Sequence, residues 1–556
     1  MRGGNSYRAG GALSTLARYF HTVRHLRPIQ VAGRLRLHWH HPVADTRAAP
    51  GTRLRGSAYL PPIERAPSLL QPQVFRFHNE ERRCSSPADW SPAGAAELWV
   101  YHLHYFDDLN ARDANARLEW HLELLERWVA ENPPGAGAAW DPYPTSRRIA
   151  NWVKWAARGH ELPARCQASL AVQTRWLEER LEYHLLGNHL LANAKALVHA
   201  GLHFDGPEAE RWFSRGMDIL ERELREQVLA DGGHFERSTM YHAAALEDLL
   251  DLMNLLRSQG CAPPVSWLGA IAAMRRWLKV MTHPDGELAF FNDAAFEEAP
   301  TSAQLEAFAG RLGLAPVADP SEPLIVLEAS GYVRAIAGSA YLICDCAAVG
   351  PDHLPAHAHA DTLSFELSLC GRRLFVNSGT SLYGTGPERQ RQRGTAAHNT
   401  VVADECDSSE VWAGFRVARR ARARLHGAHE LAPGVLIDAS HDGYRRLPRG
   451  GEHRRRWRLE PQSLHIEDRL DGALERAEAR FHLHPDVAAR VAGEREVALA
   501  LADGSTARLS AANAGALQVV PATWHPRFGV EVANQCVTAR FAGGVLSTRI
   551  AWAAPA

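Results

Sequence analysis

The feature that most constrains this chain is a change of hydrophobic period near residue 325. Before it, apolar residues recur at helical spacing: Leu118, Leu122, Leu125 and Val129, then Met217, Leu220, Leu224 and Val228, then Leu249, Met253 and Leu256. A period of about 3.6 places each set on one helix face, so these segments read as amphipathic helices turned toward a shared interior. Breaks at Asn132-Pro133-Pro134-Gly135, Gly206-Pro207 and Pro263-Pro264 divide them into antiparallel pieces. The first half is therefore expected to be an all-α toroid or bundle.

After Asp319-Pro320-Ser321-Glu322-Pro323 the pattern alternates, as in Tyr332–Ile336, Tyr341–Cys344, Thr362–Leu369, Arg373–Val376, Thr400–Val402, Leu464–Asp468, Arg476–Leu483 and Val537–Phe541. Alternation buries one face of a strand, and strands without intervening helices imply an antiparallel sandwich. A chain of 556 residues exceeds what one hydrophobic core usually organises. We expect two domains, 1–325 and 326–556.

Composition narrows the partners. A formal net charge of -1 and a pI near 7.2 give no global basic field, which argues against nucleic-acid binding by the whole protein. No stretch approaches the ~20 apolar residues of a membrane span. The cysteines at 84, 166, 261, 344, 346, 370, 406 and 536 form no CxxC pair, so neither a zinc ribbon nor a dense disulfide framework is expected. The first thirty residues carry Arg and His throughout and no secretory core, and read as an amphipathic helix.

Polar residues concentrate in a few clusters. Gly187-Asn188-His189 leads into an apolar helix, where Asn188 suits either a cap or a ligand contact. Gly232-Gly233-His234-Phe235-Glu236-Arg237-Ser238-Thr239-Met240-Tyr241-His242 packs a phenol, imidazoles, a carboxylate and a guanidinium into a short run, with Ser238 or Thr239 placed to cap the next helix. His357-Ala358-His359-Ala360-Asp361, read as an extended segment, turns both rings to one side, a spacing for metal ligation or paired acid/base work. Asn377-Ser378-Gly379 through Tyr383 and Arg393 through His398-Asn399 follow.

In this order, WDPYPTSRRIANWVKW (Trp140–Trp155), GNHLLANAKAL, GGHFERSTMYH, HAHADTLSFEL, NSGTSLYG and RGTAAHNTVV resemble the heparinase II/III family, from about residue 95 to beyond 420. The resemblance implies an incomplete (α/α) toroid followed by an antiparallel β-sandwich, with a cleft between them. It further implies a carbon–oxygen lyase acting on an acidic polysaccharide, with heparan sulfate and alginate among the family's substrates and exopolysaccharide synthesis among its settings.

Carried over by motif, Asn188 and His189 would neutralise the uronate carboxylate, Tyr241 would be general acid/base and His357 a second acid/base. Tyr383 would be a further catalytic tyrosine. Arg148, Asn151, Glu236, Arg237 and His242 would line the substrate. His359 and His398 resemble ligands of a structural zinc, whose usual aspartate is replaced by Asn377; a neutral amide is the poorer ligand, so no cofactor is expected to be required.

The resulting expectation is β-elimination on a uronic-acid-containing glycan. Alternatives are a glycoside hydrolase using Glu236 or Asp231, a metal-dependent hydrolase built on His357, His359 and Asp361, and a non-catalytic glycan-binding or exopolysaccharide-assembly protein. The substrate class points to the cell envelope or periplasm, although no export signal is visible. Linkage, sulfation and oligomeric state are left open by the sequence.

Overall fold

The structure, a computed structural model, describes residues 12–53, 58–542 and 544–553. The helices expected in the first half form around Gly187–His203, which packs against the Pro142–Ala157, Pro207–Gln227 and Thr239–Ser258 helices. Every residue of Gly187–His203 from Leu190 onward is buried, which suits its Ala/Leu-rich sequence, and its Asn193, Lys195, His199 and His203 are buried with hydrogen-bond partners. Trp128, Trp140 and Trp152 interlock beside it, with Trp128 5.8 Å from each of the other two ring centroids. Truncating any one to alanine would cost about 3–5 kcal/mol.

Two local departures from the expected division appear. The helical half also carries a small antiparallel sheet, Leu69–Gln71, Val74–Phe77 and Glu80–Arg83. The strand half contains the short helix Pro387–Arg393. The amphipathic N-terminal helix is present at Ala12–Val23, while residues 1–11 lie outside the described residues.

The second half begins with a five-stranded meander running in sequence order from Leu324–Leu327 to Arg372–Phe375. An eight-stranded antiparallel sheet follows, in the spatial order Ala423–Leu431, Gly434–His441, His453–Glu460, Ser463–Leu470, Gly544–Trp552, Thr506–Ala512, Glu496–Ala500 and Ala488–Gly493. A four-stranded sheet, Gln518–Trp524, Val532–Phe541, Ala477–His482 and Val401–Ala403, completes the layers. Inward-facing Val333, Leu342, Phe365, Ile437, Trp457, Ile466, Phe481 and Val537 share one core, as alternation requires. The eight cysteines are unpaired and most are buried.

One buried pair ties this core to the loops above it. Arg455 and Asp468 face each other across paired strands, with Nη2 3.0 Å from Oδ2. Arg455 also donates to the carbonyls of Leu363, at 2.8 Å, and Asn399, at 2.6 Å. Leu363 and Asn399 close the two histidine-bearing loops, so the sandwich fixes their height.

The halves meet through directional bonds. Arg237 Nε donates to Ser330 O at 3.0 Å, Tyr332 Oη to Arg237 O at 2.6 Å, and Ser330 Oγ to Asp231 Oδ2 at 2.9 Å. The buried His283 lies 3.0 Å from Glu366, and Arg373 donates to Asp285 at 2.7 Å.

Candidate active site

The helix Thr239–Ser258 begins at a cap that also places a phenol. Ser238 Oγ accepts from Tyr241 N at 3.2 Å and donates to Asp293 O at 2.5 Å. This fixes Tyr241 in the first turn, where its Oη lies 2.8 Å from Tyr383 Oη of the opposite half. Burial pushes both phenols well above their usual value near 10, and Asp293 adds to the effect on each. Both are therefore neutral proton donors around neutral pH.

His357 stacks on Tyr241, their ring centroids 3.8 Å apart at 30°. Its Nδ1 lies 2.9 Å from Asp293 Oδ2, so Nδ1–H donates and Nε2 faces the cleft. Asp293 is the hub. It also bonds His359 Nε2 at 2.9 Å, Thr380 Oγ1 at 3.2 Å and Arg389, whose Nη2 donates at 2.7 Å while Nη1 closes on the other oxygen. Burial alone would raise its carboxyl, but Arg389 and the two imidazoles hold it well below the carboxylate range. The imidazoles do converge, through a shared aspartate on a loop rather than through a strand, because residues 355–363 form turns.

Asn188 and His189 occupy the first turn of Gly187–His203, both partly exposed. His189 Nδ1 lies 3.0 Å from Glu182 Oε1, and Asn193 Nδ2 donates to Glu182 Oε2 at 2.9 Å. Burial opposes charge on His189, and Glu182 overcomes it, raising the ring's pKa. The Asn188 side-chain amide makes no hydrogen bond among the described residues. Glu236 connects this turn to the imidazole: its Oε2 is 3.7 Å from His357 Nε2. It is 2 % exposed, and burial raises its pKa against the pull of His357, His189 and the Asn188 backbone N–H. Asn188, His189, Glu236, His357, Tyr241 and Tyr383 thus form one contiguous set across the junction.

Other predicted substrate residues do not reach it. Arg148 is fully buried over the Trp128 ring at 3.9 Å, donating to Gln173, Thr145 and His104 O. His242 accepts from His234 N at 3.1 Å, bonds Met274 O at 2.9 Å and stacks on Trp277. Arg237 adopts a left-handed backbone, φ 58°, and turns its guanidinium to Ser330 O and Phe235 O. Asn151 donates to Asp107 at 2.7 Å and lines a separate charged chamber with Arg147, Lys154, Lys195, Asp248 and Asp251 inside the toroid. These side chains satisfy the interior polar groups of helices, which sequence polarity alone does not distinguish from ligand contacts.

The residues resembling zinc ligands are close together but do not form a three-ligand set. His359 Nδ1 and His398 Nε2 lie 3.3 Å apart, while Asn377 Oδ1 sits 3.2 Å from the far nitrogen of His398 and Asn377 Nδ2 donates to Phe290 O. Asp361 instead accepts from Asn292 N at 3.0 Å. Asn377, predicted as the third ligand, is placed as an outer partner of an imidazole. Two imidazoles fall short of the four donors of a structural zinc.

Asp293, Arg389, Glu182 and Tyr143 escaped sequence reasoning. Asp293 follows Phe290-Phe291-Asn292 in no recognisable spacing, and Arg389 sits in a run of Arg and Gln that reads as a solvated face. Tyr143, 4.7 Å ring to ring from His189, lay within a quoted motif but was not singled out.

Comparison with known proteins agrees with this architecture. Residues 109–310 match the family model described as Heparinase II/III N-terminus, and residues 319–553 the one described as Heparinase II/III-like, C-terminal. FtsZ-localized protein C of Caulobacter vibrioides is 29% identical over 434 residues, 72% of each chain. A heparin-sulfate lyase of Bacteroides stercoris is 27% identical over 244 residues, 40% of this chain and 36% of that one. The alignment therefore spans only about a third of that lyase. The solved structure of a heparinase III superposes with a TM-score of 0.68 at 19% identity, covering 84% of this chain and 79% of that one, which shows a shared fold.

Proposed function

The chain belongs to the heparinase II/III-like family, and from that premise we propose that it is a polysaccharide lyase cleaving a uronic-acid-containing glycan by β-elimination. The observation that carries this reading is the pair of phenols 2.8 Å apart, with an aspartate-anchored imidazole stacked on one of them. Named relatives include heparin-sulfate lyases, which supports the same class.

β-Elimination takes the C5 proton beside a carboxylate, forms the C4–C5 double bond and breaks the C4–O bond. In this reading, Asn188 and His189 donate to the carboxylate as charge develops on it, aided by the N-terminal end of their helix. Tyr241, held protonated, gives its proton to the departing oxygen, and Tyr383 lies in position to return one. His357 Nε2, oriented by Asp293, takes the C5 proton, so that base and acid are separate groups.

A hydrolytic site needs two available carboxyl groups. Asp293 is saturated by four donors and Asp231 is spent on Ser330 and Gly233, which leaves Glu236 without an opposed partner. A second reading is a non-catalytic glycan-binding or exopolysaccharide-assembly protein; that a relative is named FtsZ-localized protein C, not a lyase, keeps a non-catalytic role in view.

Purified protein assayed against heparan sulfate, alginate and other uronate polymers is expected to release products absorbing in the near ultraviolet, from the new double bond. Tyr241→Phe is expected to lower turnover by ~10²–10⁴ while the fold persists. Cleavage without the double bond would indicate hydrolysis; binding without cleavage would favour the second reading.

A further inference from the structure

Beyond the phenols, three side chains from three separate elements converge with no hydrogen-bond partner. His78 belongs to the turn between Val74–Phe77 and Glu80–Arg83, His102 to the helix Glu97–Leu103, and Glu298 to the loop that also carries Asp293. One ligand atom from each lies within 4.8 Å of the other two, and His78 Nε2 is 3.9 Å from a Glu298 carboxyl oxygen. His78 Nε2 is buried and unsatisfied. His102 and the Glu298 carboxyl make no hydrogen bond among the described residues; Arg65 bonds only the Glu298 backbone carbonyl, at 2.9 Å.

A buried imidazole nitrogen left unpaired is costly, and pairing it directly with the carboxylate would still leave His102 without a partner. A single cation satisfies all three. We propose that His78, His102 and Glu298 form a divalent transition-metal site, with zinc the fitting ion. Two imidazoles and one carboxylate are its ordinary donors, and at ~2.0–2.1 Å from the ion they stand about 3.3 Å apart, so the His78–Glu298 pair must close from 3.9 Å and no pair has to close from more than 4.8 Å. Three protein ligands leave a fourth position open.

The other convergent group, Glu388, His525 and Glu531, lacks this character. There Arg391 and Gln392 already donate to Glu388, and His525 Nδ1 is engaged by Ser378. At His78 the donors are unspent. Phe528 packs against both His78, at 5.3 Å, and Tyr383, at 5.0 Å, so the site stands one ring away from the phenol pair. Its open position would present a positive charge to an anionic group on a neighbouring sugar, a role that rests on the lyase reading, whereas the metal site does not.

The full chain, stripped with chelator and dialysed, is titrated with zinc and separately with cobalt(II), whose visible absorption reports tetrahedral ligation. One ion per chain with a tetrahedral cobalt spectrum is expected. His102→Ala and Glu298→Gln should weaken binding by more than ~100-fold, beyond the loss typical of an outer partner. His398→Ala should leave binding intact, and thermal melts confirm that each variant is folded. Retained stoichiometry and spectrum in folded His102→Ala or Glu298→Gln, no binding to wild type, or loss only in His398→Ala would each overturn the proposal. If uronate oligosaccharide shifts the cobalt spectrum, the open position takes the glycan. If metal binds and no lyase activity is found, the site stands and the lyase reading falls.

Discussion

His189 sets the pH dependence of the proposed carboxylate contact. Glu182 raises its pKa above the ordinary 6.5 despite burial. A raised imidazole pKa means that the His189–Glu182 attraction is complete below about 6.5 and is lost as pH climbs through the folded value. Affinity for a uronate polymer should follow the same curve, because only the charged ring donates to Glu182 through Nδ1 and to the substrate carboxylate through Nε2 at once. KM is expected to increase as pH rises through that range in the wild type, and to vary little in His189→Gln. A KM equally pH-dependent in that variant would remove His189 from carboxylate recognition.

At the scale of elements, the start of the Gly187–His203 helix is where conformation and chemistry meet. Leu186 and Gly187 have φ of 67° and 57°, and a Cβ on Gly187 would overlap Leu354 Cδ2 and lie 3.1 Å from Glu236 Oε1. Gly187→Ala is therefore expected to cost about 1–2 kcal/mol from the left-handed backbone. It should also raise KM by displacing Asn188 and His189; a stability loss with KM unchanged would mean that the turn does not touch substrate. This turn was legible because glycine, polar pair and apolar run adjoin. The capping role of Ser238 was legible for the same reason. The three short strands between Leu69 and Arg83 were not, since runs of three or four residues are too short to carry a usable period. Arg148 and His242 were misread because a motif shows that a polar residue is present, and only packing shows which side of the helix it satisfies.

For the whole molecule, the periodicity change near 325 foretold two halves of different construction, but not that one buried aspartate would bond four side chains across their junction. Asp293 comes from the helical half's last loop, while His357, His359, Thr380 and Arg389 all come from the strand half. A buried carboxylate shared in this way couples folding of the two halves, so heat should unfold the wild type in one calorimetric transition. Its pKa is depressed in the folded state, so its contribution is present above the unfolded carboxyl value near 3.9 and declines as pH falls through the folded value. At neutral pH the contribution is complete. Asp293→Asn removes the charge but leaves Arg389 buried, and loss of one partner from such a pair costs about 3–5 kcal/mol. We expect its melting temperature to fall at pH 7, with the two halves separating into distinct transitions, and its turnover to fall because His357 loses the acceptor that orients Nε2. A variant that melts like wild type in a single transition would mean that the apolar contacts between the halves, rather than this carboxylate, join them.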